Sequence, residues 1–137
     1  MADLSITAAS VAPGTGATVS DGIAGATVTQ GQVIYQDSTA ANVWKLADTN
    51  ASAAAAAAIG IALNGASSGQ HLRIQTGGEI TIGATVAVGR VYVLSATAGG
   101  ICPSADLAAG HFTQILGIGK TTAIISLKLF TAGIAYA

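Results

Sequence analysis

Short runs of β-branched and aromatic residues, broken by Gly, Ser, Thr, Asn and Asp, set the pattern of this chain. "QVIYQ" (32–36) and "RVYVLS" (90–95) each follow a Val-x-x-Gly stretch, Val28 to Gly31 and Val86 to Gly89, and read as strands. "DSTAAN" and "SATAGG" come next as small polar hairpin loops, leading into "VWKLA" (43–47) and "ICPSA" (101–105). "QHLRIQT" (70–76) and "AIISLKLF" (123–130) are further strand segments, "GGEITIG" (77–83) links the two sets, and "AGIAYA" closes the chain. Helical periodicity is confined to "NASAAAAAA", where Asp48 or Thr49 would cap a short Ala-rich helix, and to "SADLAAG" (104–110), stopped by Gly110.

The two sets are related. "GATVTQGQVIYQDSTAANVWKLAD" (25–48) and "GATVAVGRVYVLSATAGGICPSAD" (83–106) align without a gap, sharing Gly-Ala-Thr-Val at the head and Ala-Asp at the tail. One residue out of step, Ile59-Gly60-Ile61-Ala62 then matches Leu116-Gly117-Ile118-Gly119. Gly31 and Gly89 recur at one repeat position, which predicts a bulge or tight bend where a Cβ would clash. Two units are too few for a solenoid, which needs about three to cover its core. The expected fold is therefore mainly β: a small single domain, a barrel or sandwich built from two divergent copies of a β unit, with one or two short helices. Residues 1–24, interrupted by "APGTG" and "SDG", form an N-terminal arm or edge strand, and residues 25–137 the β domain, with copies at 25–82 and 83–137.

Composition narrows the function. Ile, Leu, Val and Phe make up a quarter of the 137 residues, enough for a core, but only 8% of residues are charged. A surface so poor in Lys and Glu gains little solubility from charge and suits a protein packed against something else, so a homo-oligomer is expected. Net charge is −1, with five scattered Lys and Arg, so no basic stripe offers itself to nucleic acid. The longest apolar stretch, Ala53 to Leu63, is about half of what a spanning helix needs, and "MADLSITAAS" lacks the basic and apolar regions of a signal sequence. Neither a membrane nor a secretory route is expected. With Cys102 the single cysteine, no internal disulfide can form, consistent with synthesis in a reducing cytoplasm.

Candidate chemistry is sparse. "GIGKT" (117–121) ends like a phosphate-binding loop but has Gln114 where that loop needs a Gly, and it leads into a strand rather than a helix. His71, His111 and Cys102 share no metal-ligand spacing, and no carboxylate neighbours either histidine in sequence. Asp48 and Asp106 occupy one repeat position, which assigns them a structural duty such as capping. Trp44, the only tryptophan, reads as core, with an interface anchor as the alternative. No catalytic, metal or cofactor-binding residue is expected, and no cofactor.

With these residues in view, "GATVTQGQVIY" and the following "WKLADTNASAAAAAAIGIALNGASSGQHLRIQTGGEITIGATVAVGRVYVLSATAGGICP" resemble tailed-bacteriophage capsid cement, or head decoration, proteins. The likeness runs over roughly residues 25–106 and rests on Gly, Ala and Val patterns. It implies a non-enzymatic structural virion protein, made in the host cytoplasm, that binds the outside of the capsid. There it would bridge major capsid protein subunits of the expanded head, as a trimer or dimer. The arm, Ala2 to Ser20, and the apolar strand from Leu127 to Tyr136 are the candidate subunit contacts. A tail-fibre or receptor-binding component, or a small ligand-binding β module, is the alternative.

Overall fold

In a computed structural model, residues 3–48 and 59–135 are described. About half of the protein is strand, in one curled antiparallel sheet of half-barrel form with almost no helix. Ten strands run in chain order: β1 (Ala12–Pro13), β2 (Thr18–Ile23), β3 (Val33–Asp37), β4 (Val43–Leu46), β5 (Ile59–Ala62), β6 (His71–Thr81), β7 (Val91–Leu94), β8 (Ile101–Pro103), β9 (Phe112–Gly119) and β10 (Ile124–Ala135). Their order across the sheet is β4-β3-β5-β6-β10-β9-β7-β8, with β1 and β2 also paired to β6. Read from either end, the order is hairpin, third strand, fourth strand.

Backbone hydrogen bonds recur with the sequence repeat. Gly31 N–H donates to Ala62 O and Gly89 N–H to Gly119 O; Ala62 N–H donates to Gln32 O and Gly119 N–H to Arg90 O. The hairpin loops share a side-chain device. Thr39 N–H donates to the Asp37 carboxylate at 3.0 Å, and Thr97 N–H to the Ser95 hydroxyl at 3.1 Å, both holding the chain in a tight turn. Gly31 and Gly89 both have φ near the left-handed region, at +92° and +79°, so the shared glycine is needed for the turn itself.

Alternation along the strands creates two cores. Val33 and Ile61 point into the larger one and their neighbours Ile34 and Ala62 into the smaller one, so β3 and β5 are buried on both faces. That is why their sequences are continuously apolar rather than alternating. Trp44, Leu72, Ile74, Val28 and Ala24 complete the smaller core. Trp44 is 8% exposed and fits because Gly22 has no side chain: a Cβ there would lie 2.6 Å from the indole Nε1. The larger core joins the two halves of the chain, setting Val33, Ile59 and Ile61 against Tyr92, Leu94, Ile101, Ile125 and Leu127.

Several expectations need correction. "GGEITIG" is not a free link: Gly77 to Thr81 continue β6, which bulges where Thr18 and Val19 face Gly77 and Gln75. The Gln75 side-chain amide donates to Gly77 O and Glu79 O and braces that bend. "SADLAAG" yields only a 3₁₀ turn, Ser104–Asp106, with Pro103 at its N-cap and Leu107 already extended. Seven residues cannot offset the cost of nucleating a helix without tertiary support. The Ala-rich helix expected over residues 50–58 lies outside the described residues.

Candidate interaction surface

Most of the candidate chemistry is dispersed by the fold. Among the described residues, no three His, Cys, Asp or Glu side chains gather where they could hold a metal. Cys102 is buried on β8; burial first, then the nearby Asp3 and Asp106 carboxylates, push its pKa up to about 11, so it stays a protonated, unreactive thiol. His111 Nδ1 accepts from Ala108 N–H at 3.3 Å and closes a turn. His71 does have a carboxylate beside it, Asp21 on β2, at 3.1 Å, with Arg73 Nε 3.8 Å from the same oxygen. Strand pairing between β2 and β6 makes that contact across fifty residues, so no local spacing could have revealed it. All three side chains are well exposed, which marks a surface ion pair of small energetic weight.

"GIGKT" forms the end of β9 and the turn to β10, where Lys120 pairs with Glu79 on β6. The carboxylate occupies the ammonium that a phosphate would need. Asp106 is the last residue of its turn rather than the cap. Trp44, buried beneath Gly22, offers no platform for a sugar ring.

The N-terminal segment lies along its own body. Leu4 N–H donates to Ile101 O, Thr7 N–H to Gly83 O, and the Ser95 hydroxyl to Asp3, while β1 and β2 follow the edge of β6. Leu4 and Ile6 thereby cover the larger core. A cleft of about 310 Å³ remains between this segment and the turns at Thr29–Gln32 and Thr97–Gly100. Asp3 at its wall accepts from the Ser95 hydroxyl at 2.6 Å.

The feature that stands out is the outer face of β7–β10. Tyr92, Leu94, Leu116 and Leu127 turn inward to the larger core. Their neighbours turn outward, and strand register aligns them: Cys102 opposes Val93, Val93 opposes Ile115, and Ile115 opposes Phe130. One apolar row thus crosses four strands, from the buried Cys102 to Phe130, which is 61% exposed. A second row runs from Val91 through Ile118, 49% exposed, to Ser126 and Glu79. Leu127, expected as a contact residue, lies in the core; among the described residues of that strand, Phe130 is the exposed large apolar group. Val93, 1% exposed, and Cys102 are themselves covered, so the open part of this face is Ile118 and Phe130, with Val91 and Ile115 half-buried beside them.

Neither a family model nor a curated protein sequence matches the chain.

Proposed function

We propose that the protein is a structural, non-enzymatic virion component that binds the outer surface of a tailed-bacteriophage capsid and bridges major capsid protein subunits of the expanded head, as a dimer or trimer. The observation that carries this reading is the outward apolar patch of Ile118 and Phe130 on β9 and β10, on a β body in which no metal-holding cluster gathers among the described residues. The likeness of residues 25–106 to cement proteins and the low charge of the chain point the same way. A contact of modest strength becomes effective when many copies engage one shell. A ligand that binds only the expanded shell stabilises it by mass action.

Co-sedimentation with expanded, decoration-free heads, with unexpanded proheads as control, tests the reading. Saturable binding to expanded heads alone, at a simple ratio to the major capsid protein, is the expected result. Absence of binding to both particles overturns it.

A further inference from the structure

Resting on that reading, we infer that the β7–β10 face is the one that meets the shell, and that its partner presents an apolar surface with a carboxylate opposite Lys128. Alternation along β10 sets Ser126, Lys128 and Phe130 on the outer side, all three exposed, while Leu127 and Leu129 pack inward. Lys128 stands beside the two apolar rows and has no ion pair among the described residues. Glu79, the carboxylate on this face, already accepts from Lys120.

These charges decide between a second copy and a different partner. A twofold contact puts the same face against itself. Here that would bury two Lys128 ammonium groups with no free carboxylate of this face among the described residues to meet them, and an unpaired charge in an interface is costly. Area argues the same way. The four strands run from three residues (β8) to twelve (β10) and together cover on the order of 400 Å², about half of the roughly 800 Å² per partner of a standard stable interface. A face of that size holds poorly as an isolated pair and well on an array that offers many equivalent acidic, apolar sites. Contacts between copies of this chain then use other surfaces.

Three exposed-site variants separate the outcomes: Phe130→Ser, Lys128→Glu, and Arg73→Glu as a charge control on the far strand pair. Each is measured for affinity to expanded heads at two salt concentrations, for native mass, and for the denaturation midpoint that confirms folding. Phe130→Ser and Lys128→Glu are expected to weaken head binding tenfold or more with native mass unchanged. The salt sensitivity of binding should reverse sign in Lys128→Glu, where added salt screens a repulsion instead of an attraction, and Arg73→Glu should bind as wild type. If wild type binds heads and both face variants bind equally well, the assignment of this face is wrong and the cement reading stands. A fall in native mass in Phe130→Ser makes the face a contact between copies and overturns the inference. Failure of wild type to bind any head removes the cement reading, and this inference with it.

Discussion

The two sequence-related halves of the chain share a strand order and a set of turn hydrogen bonds, yet they are finished differently. Around the first half, the N-terminal segment packs closely. Ile6 and Val11 sit where a Cβ on Gly31 would be, 2.8 and 2.9 Å away, and β2 with Ala24 closes over Trp44. Around the second half its cover is partial: Thr7, Asp3 and Leu4 bond to Gly83, Ser95 and Ile101. Gly89, at the same repeat position, has no atom within 4 Å of its absent Cβ, and Ile118 and Phe130 face outward. One β unit thus serves as interior where the preceding segment covers it and as surface at Ile118 and Phe130, where that cover stops. The difference lies in what packs on the strands rather than in the strands.

Substitution should expose that contrast most strongly at the aromatic residues. Trp44→Ala is expected to cost about 3–5 kcal/mol of folding stability, as emptied core sites do. Phe130→Ser should change stability by less than about 0.5 kcal/mol. Denaturant midpoints of the two variants measure the gap, and equal losses would mean that the second half is covered after all. The paired glycines come next. Gly89→Ala should cost about 1 kcal/mol, the left-handed strain alone. Gly31→Ala should cost roughly 1–3 kcal/mol more, because Ile6 and Val11 must also move.

Two smaller effects concern the first hairpin, whose loop differs from the second. Ala41 and Asn42 both hold φ at +60°, and Ala bears that conformation poorly. Ala41→Gly should therefore stabilise the protein by about 0.5 kcal/mol, the strain relieved less the added freedom of the unfolded chain. A lower thermal midpoint in that variant would contradict the strain. Asp37, where the second hairpin has Ser95, accepts from the Thr39 hydroxyl at 2.6 Å and from Lys45 at 2.9 Å. Thr39 first and Lys45 next lower its pKa from 3.8 to about 2. Because the folded-state pKa lies below the unfolded one, its stabilisation is complete above pH 3.8 and is lost as pH falls towards 2. Asp37→Asn should be slightly less stable than wild type at neutral pH and converge with it near pH 2; parallel curves throughout would rule out the carboxylate's part.

Local pattern made much of this molecule legible. The strands at 33–37, 43–46 and 91–94, the hairpins between them and the glycine turns all follow from β-branched runs and turn residues, whose preferences act over a few positions. So do the weak chemical motifs, which the fold leaves scattered. The "GGEITIG" segment was misread because a bulge braced by Gln75 side-chain bonds can carry a strand through paired glycines, and that bracing is visible only once β2 lies alongside. The contact of His71 with Asp21, and Phe130 rather than Leu127 as the outward group, were equally out of reach of local reading.

Residue by residue, then, the chain dictates strands, turns and a repeated unit, because backbone preference and period-two alternation are short-range. Which face of each unit becomes core depended on long-range pairing: Val33 and Ile34 are both buried because second-half strands cover one side and the β2 region the other. Val91 and Ile118 carry the same kind of lettering and stay at the surface, since hydrophobic burial needs a partner and alternation alone cannot supply one.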